Sequence, residues 1–255
     1  MRVLRALCAG RRLARAVLHA LHGAAIVVLW FPRLDRAARQ RRIRWWAGTL
    51  LQRLEVRVEQ HGEFKPGCKL IVANHISWLD ILLVHAVCPE ARFVSKAEVR
   101  QWPLVGRLVD AADTLYIERD RKRDALRVVH RCAEALQAGD TVAVFPEGTT
   151  GDGTALLPFH ANLLQAAIAV NAPVQPVALR YADRHAAISP DALWVGDTTL
   201  AQTLWRLARA DGLLAHLQVL PPQASAHADR RALAEALRMD IDAALAAIDR
   251  CHPAP

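Results

Sequence analysis

The stretch KLIVANHISWLDILL, residues 69–83, sets a histidine and, five residues later, an aspartate between two apolar runs. On one regular helix that spacing would turn His75 and Asp80 about 140° apart, so they meet only if His75 precedes the helix. A strand ending at Asn74 and a helix starting near Ser77, itself suited to the N-cap position, would leave His75 in the turn and Asp80 in the first helical turn. The carboxylate then accepts the Nδ1 proton, fixes the tautomer and leaves Nε2 as a base for a hydroxyl attacking a carbonyl carbon. Ser77 invites a Ser-His-Asp reading, but no G-x-S-x-G elbow surrounds it. A third ligand for a metal is missing nearby. The same spacing also serves a structural histidine.

A second segment, VAVFPEGTTGDGTALLPF (142–159), brings Glu147 to a strand end and exposes the backbone around Gly148 ahead of two hydroxyls, Thr149 and Thr150. It has no Gly-Lys-Ser/Thr, so a nucleotide phosphate loop is not indicated; a polar substrate or an ordinary glycine-rich turn both fit. Between the two segments, Lys96, Arg100, Arg107 and Arg119 recur near predicted strand ends. Arg119 closes the apolar run TLYIER, where a guanidinium fork suits phosphate or carboxylate. The following RDRKRD reads as a solvated helix start.

The elements that must position these groups alternate. Strands are predicted over 69–74, 91–96, 113–119, 141–147, 174–181 and 216–222. Helices are predicted over 78–87, 103–111, 121–138, 160–170, 198–210 and 229–250. That alternation predicts an α/β fold, a layered mixed or parallel sheet flanked by helices, with sites gathered where strands run into loops. The 255 residues, 53% hydrophobic, suffice for one large core. The five cysteines are scattered and odd in number, so neither a disulfide framework nor a zinc site follows from them.

The charge of +8 is concentrated: residues 1–60 hold 13 Arg and 3 Asp or Glu, leaving the remainder at −2. The arginines flank AVLHALHGAAIVVLWF (16–31), with RAARQRRIRWW following. An apolar run between basic flanks points to an anionic membrane surface rather than to nucleic acid. At about 16 residues the run falls short of the roughly 20 needed to span, which favours a helix lying in the interface or a re-entrant hairpin. No A-x-A site marks it as a signal peptide; an ordinary core helix with solvated flanks also fits. The expected organisation is a basic, apolar membrane-associating helical module over 1–60 and an α/β domain over 61–255.

Four blocks in order, NHISWLD, FVSKAEVRQWPLVG through YIERD, FPEGTT and APVQPVAL, resemble the glycerolipid acyltransferase family over roughly residues 60–185. The resemblance implies that His75 activates the acceptor hydroxyl and Asp80 orients it. It further implies that Arg119 holds an acceptor phosphate, that Glu147 and Gly148 shape the acceptor pocket with help from Thr149, and that Lys96 belongs to the matching block, as a substrate-binding or a surface lysine. The Pro176 block would support the sheet floor. Gln175 replaces an apolar residue common in the family, which bears on acyl-chain or acceptor preference. His160 and His185 fall outside the motifs and read as structural or solvated.

The implied reaction moves a fatty acyl group from acyl-CoA or acyl carrier protein to 1-acylglycerol-3-phosphate by direct attack, with no metal or organic cofactor. Other acceptors such as lyso-ornithine lipid, a silent lipid-binding relative, and thioester hydrolysis are the alternatives. The Ala- and Arg-rich composition fits a bacterial protein on the cytoplasmic face of the inner membrane.

Overall fold

The computed structural model describes residues 2–117 and 122–251; the side chains of 2–5 and 122–125 are outside the description. In chain order the elements are α1 (Arg2–Leu29), α2 (Arg36–Arg53), β1 (Arg57–His61), β2 (Lys69–Ala73), α3 (Leu79–Val87), β3 (Ala91–Lys96), α4 (Val105–Ala111) and β4 (Leu115–Ile117). Then follow α5 (Lys122–Gln137), β5 (Thr141–Val144), α6 (Leu164–Ala169), β6 (Val174–Ala182), α7 (Leu200–Arg209), β7 (Leu214–Val219) and α8 (Arg230–Cys251).

The seven strands form one sheet in the order β1-β7-β6-β2-β5-β3-β4. Among the described strands only β6 and β7 pair antiparallel, with an isolated antiparallel bridge between Val174 and Gln223 beside them. The five strands from β6 to β4 therefore point the same way, and the loops after β2, β5 and β3 emerge at one edge. A crossover between parallel strands needs a helix, and each such helix covers a face of the sheet.

Period-two alternation divides the core. In β2, Ile71 and Ala73 join Leu79, Leu83 and Leu51 on one face, while Leu70 and Val72 join Leu136, Leu237 and Ile241 on the other. With both faces covered, all five residues of β2 are buried, including Lys69. Each fully buried leucine contributes about 1.5–3 kcal/mol.

The predicted strands and helices are present with ends moved by a few residues, with two differences. The predicted strand over 113–119 is described as Leu115–Ile117, and residues 118–121 lie outside the described residues. β1 was not predicted: RVEQH has no apolar alternation, because it is an edge strand that exposes most of its residues and is held by parallel pairing to β7.

The N-terminal segment also differs. The apolar run is part of a 28-residue helix that begins upstream, among the arginines. Ala6–Leu29 is long and apolar enough by length and composition to cross a membrane. A turn carrying Pro32 leads into α2, whose first turn is capped by Asp35 accepting from Ala38 N at 2.7 Å.

The two helices lock together at one crossing. Trp46 Nε1 donates to His19 O at 3.2 Å, the His19 ring nitrogen lies 3.0 Å from Trp46 O, and the rings stack. Gly23 permits this approach, since a Cβ there would stand 2.1 Å from Trp46 Nε1.

Several arginines expected to face lipid are spent on the protein itself. Arg12 donates to Ala210 O at 2.7 Å and pairs with Glu55; Arg36 pairs with Asp140; Arg44 donates to Val87 O at 3.1 Å. Ala16, Ala47, Leu50 and Leu54 sit in the same core cluster as Leu79 and Leu83, so the helical hairpin and the sheet share a core.

Candidate functional site

β2 ends at Ala73, and Asn74 ties that end to β6. Its Nδ2 donates to Leu179 O at 3.0 Å and its Oδ1 accepts from Leu179 N at 2.8 Å. The chain then turns through His75–Trp78 into α3, whose first turn carries Asp80. A carboxylate in that turn meets the positive end of the helix. Asp80 Oδ2 lies 2.8 Å from His75 Nδ1 and accepts from Ile76 N at 2.8 Å and Ser77 N at 2.9 Å. Its Oδ1 accepts from Tyr181 Oη at 2.6 Å.

Four donors therefore hold one fully buried carboxylate. The imidazole is fixed through Nδ1, stacked on Phe145 at 4.0 Å between centroids, and only partly buried. Burial, followed by the neighbouring Asp80 charge, holds the Tyr181 hydroxyl well above the usual phenol range, so it remains a donor.

Ser77 does not cap α3. The residue before the helix is Trp78, with no side-chain cap, and Ser77 Oγ is buried without a hydrogen-bond partner among the described residues. The Asp80 carboxylate instead reaches back over the turn to the amides of Ile76 and Ser77, which precede the helix, while Asp80 N donates to the Ser77 carbonyl.

Glu147 closes the loop after β5 against the loop after β2. Its Oε1 accepts from His75 N at 2.7 Å and its Oε2 from Leu157 N at 2.9 Å. Gly151 N also donates to His75 O at 2.8 Å. The side chain is buried and both its oxygens are taken by the protein, so Glu147 is placed as a staple behind the histidine. Burial pushes its carboxyl above the usual range, against the pull of the two backbone amides. Gly148 sits at φ +70° in the turn and donates to Phe145 O at 3.0 Å, a conformation that favours glycine.

A cavity of about 750 Å³ opens beside this knot. One wall is the hairpin (Ala20, Gly23, Trp46); another comes from Ile81 and His85 on α3; His75, Phe145 and Thr149 from the loop knot also line it. The lining is mostly apolar, and a volume of this order encloses a long flexible ligand. His85 shows how dry the wall is: burial lowers its ring pKa to about 4, so it is neutral at physiological pH.

Of the expected site residues, His75, Asp80, Glu147, Gly148 and Thr149 are brought together. Lys96, the exposed last residue of β3, joins them on the cavity lining. Arg119 lies outside the described residues.

Arg100 and Arg107 are not at strand ends: Arg100 is in a short helical turn, paired with Asp110 at 3.3 Å, and Arg107 is exposed on α4. His160 and His185 are exposed and away from the cavity lining. Gln175 is also remote from it. Its amide is buried at the start of β6, accepting from Lys65 N and donating to Glu63 O and Leu220 O, so it braces loops rather than selecting a chain or acceptor.

Tyr181 and Phe145 escaped the sequence reading. For Tyr181 one signal existed, since a tyrosine on a buried strand needs a partner for its hydroxyl.

Comparison with known proteins places these residues in a wider setting. Residues 55–180 match the model of the Acyltransferase family. The chain is 41% identical over 207 residues to a lyso-ornithine lipid O-acyltransferase of Pseudomonas aeruginosa, covering 81% of this chain and 79% of that one. It is 37% identical over 182 residues to a 1-acyl-sn-glycerol-3-phosphate acyltransferase of Neisseria meningitidis, covering 71% of each. The crystal structure of the 1-acyl-sn-glycerophosphate acyltransferase PlsC from Thermotoga maritima shares the fold, with a TM-score of 0.73 at 19% identity over 97% of this chain and 98% of that one.

Proposed function

This chain belongs to the PlsC-like glycerolipid acyltransferase family, and we propose that it moves a fatty acyl group from an acyl thioester to the free hydroxyl of a lysolipid at a membrane surface. One observation carries the reading: an imidazole fixed through Nδ1 by a buried carboxylate forms part of the wall of a large, mostly apolar cavity. Nε2 is then the nitrogen left for chemistry.

In the proposed reaction the acceptor hydroxyl approaches His75 while the acyl chain of the thioester occupies the cavity. Nε2 takes the hydroxyl proton as the oxygen attacks the thioester carbonyl; the tetrahedral centre collapses, the C–S bond breaks, and the thiolate leaves with the proton returned. Asp80 holds the tautomer and stabilises the transient imidazolium, as a buried partner carboxylate does elsewhere. A thioester is already activated, so positioning and base catalysis supply most of the acceleration.

Glu147 sets the height of His75 by its backbone amide, and Gly148 and Thr149 border the acceptor. CoA and acyl carrier protein both present the required thioester. Burial of the exposed apolar face of α1, with Arg11, Arg15 and Arg41 beside it, docks the enzyme on an anionic leaflet, which we place at the cytoplasmic face of a bacterial inner membrane.

The similarity to the Pseudomonas relative favours lyso-ornithine lipid as the acceptor. The second reading, 1-acylglycerol-3-phosphate, is favoured by Lys96 on the cavity lining, an ammonium suited to a phosphate, and by the Neisseria relative. A panel of both lysolipids with labelled acyl-CoA and acyl carrier protein, read by mass spectrometry, decides between them. Turnover of neither lysolipid, with water accepting the acyl group instead, would overturn acyl transfer in favour of hydrolysis.

A further inference from the structure

On the face of the sheet away from the cavity, Glu59 and His61 of β1 stand two residues apart and so share a side, and Glu59 is level with His216 of β7. His216 points to that side because its neighbours Ala215 and Leu217 enter the core with Leu79 and Leu83 on the other. The potential ligand atoms of Glu59, His61 and His216 all lie within 4.8 Å of one another. We propose that these three side chains form a binding site for a zinc-class divalent cation, which clamps the edge strand β1 onto β7.

Three features argue for a cation rather than a simple ion pair. His216 Nδ1 and Glu59 Oε2 are 3.5 Å apart, longer than the roughly 3.2 Å limit of a good hydrogen bond. That separation is close to the edge of a tetrahedron built on metal bonds of about 2.0–2.2 Å. The donor set, two imidazoles and one carboxylate without a thiolate, suits zinc with a fourth position open to water.

The placement is also rigid on one side and open on the other. His216 is buried, and β1 ends where Gly62 approaches β7 so closely that a Cβ would stand 2.2 Å from Val219 O. His61 is exposed, which gives an ion its entry path. Two guanidinium groups share this side. Arg180, opposite His216 in the β6–β7 register, is directed to Asp249 at 2.7 Å and to Gly153 O, while Arg57 begins β1 and is exposed.

The consequence reaches the cavity wall through the chain itself. α2 runs into β1 through Leu54 and Val56, both buried in the core, so an ion that fixes β1 also fixes the base of the hairpin. A clamp of this kind also protects an edge strand from pairing with other chains.

The test uses the full chain stripped of metal by a chelator and dialysed. Titration with Co2+ is expected to give saturable one-to-one binding with the intense visible band of a tetrahedral site, displaced by Zn2+. Zn2+ is also expected to raise the Tm of the stripped protein in a concentration-dependent way. His61→Ala and Glu59→Gln should each weaken Co2+ binding by at least about tenfold, since even outer partners of metal ligands cost 10- to 100-fold. His61 is exposed, so a metal-free Tm equal to that of the wild type will show that its variant folds. No saturable Co2+ binding, or equal affinity and equal Zn2+ stabilisation in wild type and His61→Ala, would overturn the site.

Discussion

The loop knot around His75 and the helical hairpin that faces it solve opposite problems. In the knot, with Ser77 Oγ the exception, the buried carboxylates and amide behind the imidazole are engaged: Asp80 by four donors, Glu147 by two backbone amides, Asn74 by both groups of Leu179. In the hairpin the inner side is packed while the outer side shows Leu7, Leu18, Leu21, Leu29 and Trp30 to solvent. The difference teaches where each kind of energy is used. Buried polar atoms are costly unless paired, so a site built from them is stiff and holds its geometry for chemistry. An uncovered apolar face is costly in water and favourable against lipid, so it suits delivery of a lipid substrate.

The largest effect should come from the knot. His75→Ala removes the proposed base and leaves its neighbours satisfied, because Asp80 keeps the Ile76 and Ser77 amides and the Tyr181 hydroxyl. Turnover should fall about 10²- to 10⁴-fold with an unchanged melting curve. Turnover within a factor of two of wild type would take His75 out of the reaction and leave the knot a purely structural device.

The hairpin should respond in the opposite sense. Leu18 and Leu21 are 65% and 51% exposed, so replacing both by Asp removes nothing from the folded core. Each leucine buried in lipid is worth up to about 1.5–3 kcal/mol, so the double variant should bind anionic vesicles about a hundredfold more weakly in co-sedimentation, with its Tm unchanged. Equal vesicle binding would break the contrast, leaving the exposed leucines without a lipid role.

Glu147→Gln probes the stiffness of the knot. An amide offers one acceptor where two amide hydrogens need one each, so the variant should lose about 1–3 kcal/mol at neutral pH. The pH dependence has a definite sign. A carboxyl whose pKa is raised by burial binds its proton more tightly folded than unfolded, so its contribution to stability is greatest in acid. That contribution falls as pH rises from the ordinary carboxyl range through the raised value. Unfolding free energies measured between about pH 4 and pH 8 should therefore show the gap between wild type and Glu147→Gln narrowing as pH rises. A widening gap would mean that the two hydrogen bonds outweigh burial.

How far these regions can be read from sequence follows the range of their contacts. β2, β5 and β6 are predominantly apolar, interrupted by Lys69 in β2 and by Gln175 and Arg180 in β6, because both faces are covered, and their presence is plain in the sequence. His75 and Asp80 are five residues apart, so simple helix geometry already tells how they can meet. Tyr181 lies 101 residues from Asp80, and Glu59 lies 157 residues from His216; only the sheet order brings either pair together. β1 is hidden for a related reason: an edge strand needs no apolar alternation, and its partner β7 comes late in the chain. α1 extends well upstream of the 16-residue apolar run, through residues that include Arg12, whose side chain folds back to the carbonyls of Ala208 and Ala210 at the end of α7.

The smallest effect is expected at Ser77, and it bears directly on what kind of catalyst the knot is. Ser77 is fully buried, its Oγ has no hydrogen-bond partner among the described residues, and its backbone amide is held by Asp80. An unpaired buried hydroxyl costs about 1–3 kcal/mol, so Ser77→Ala should leave stability unchanged or slightly raised despite the small void it creates. Because no substrate can reach a sealed oxygen, turnover should stay within a few-fold of wild type in the same thioester assay. A loss as deep as that of His75→Ala would instead make Ser77 the nucleophile and require the loop to open before reaction, replacing direct transfer by an acyl-enzyme. The contrast between a knot of engaged polar groups and a hairpin with an uncovered apolar face would then lose its first half, since the knot itself would have to open for the reaction.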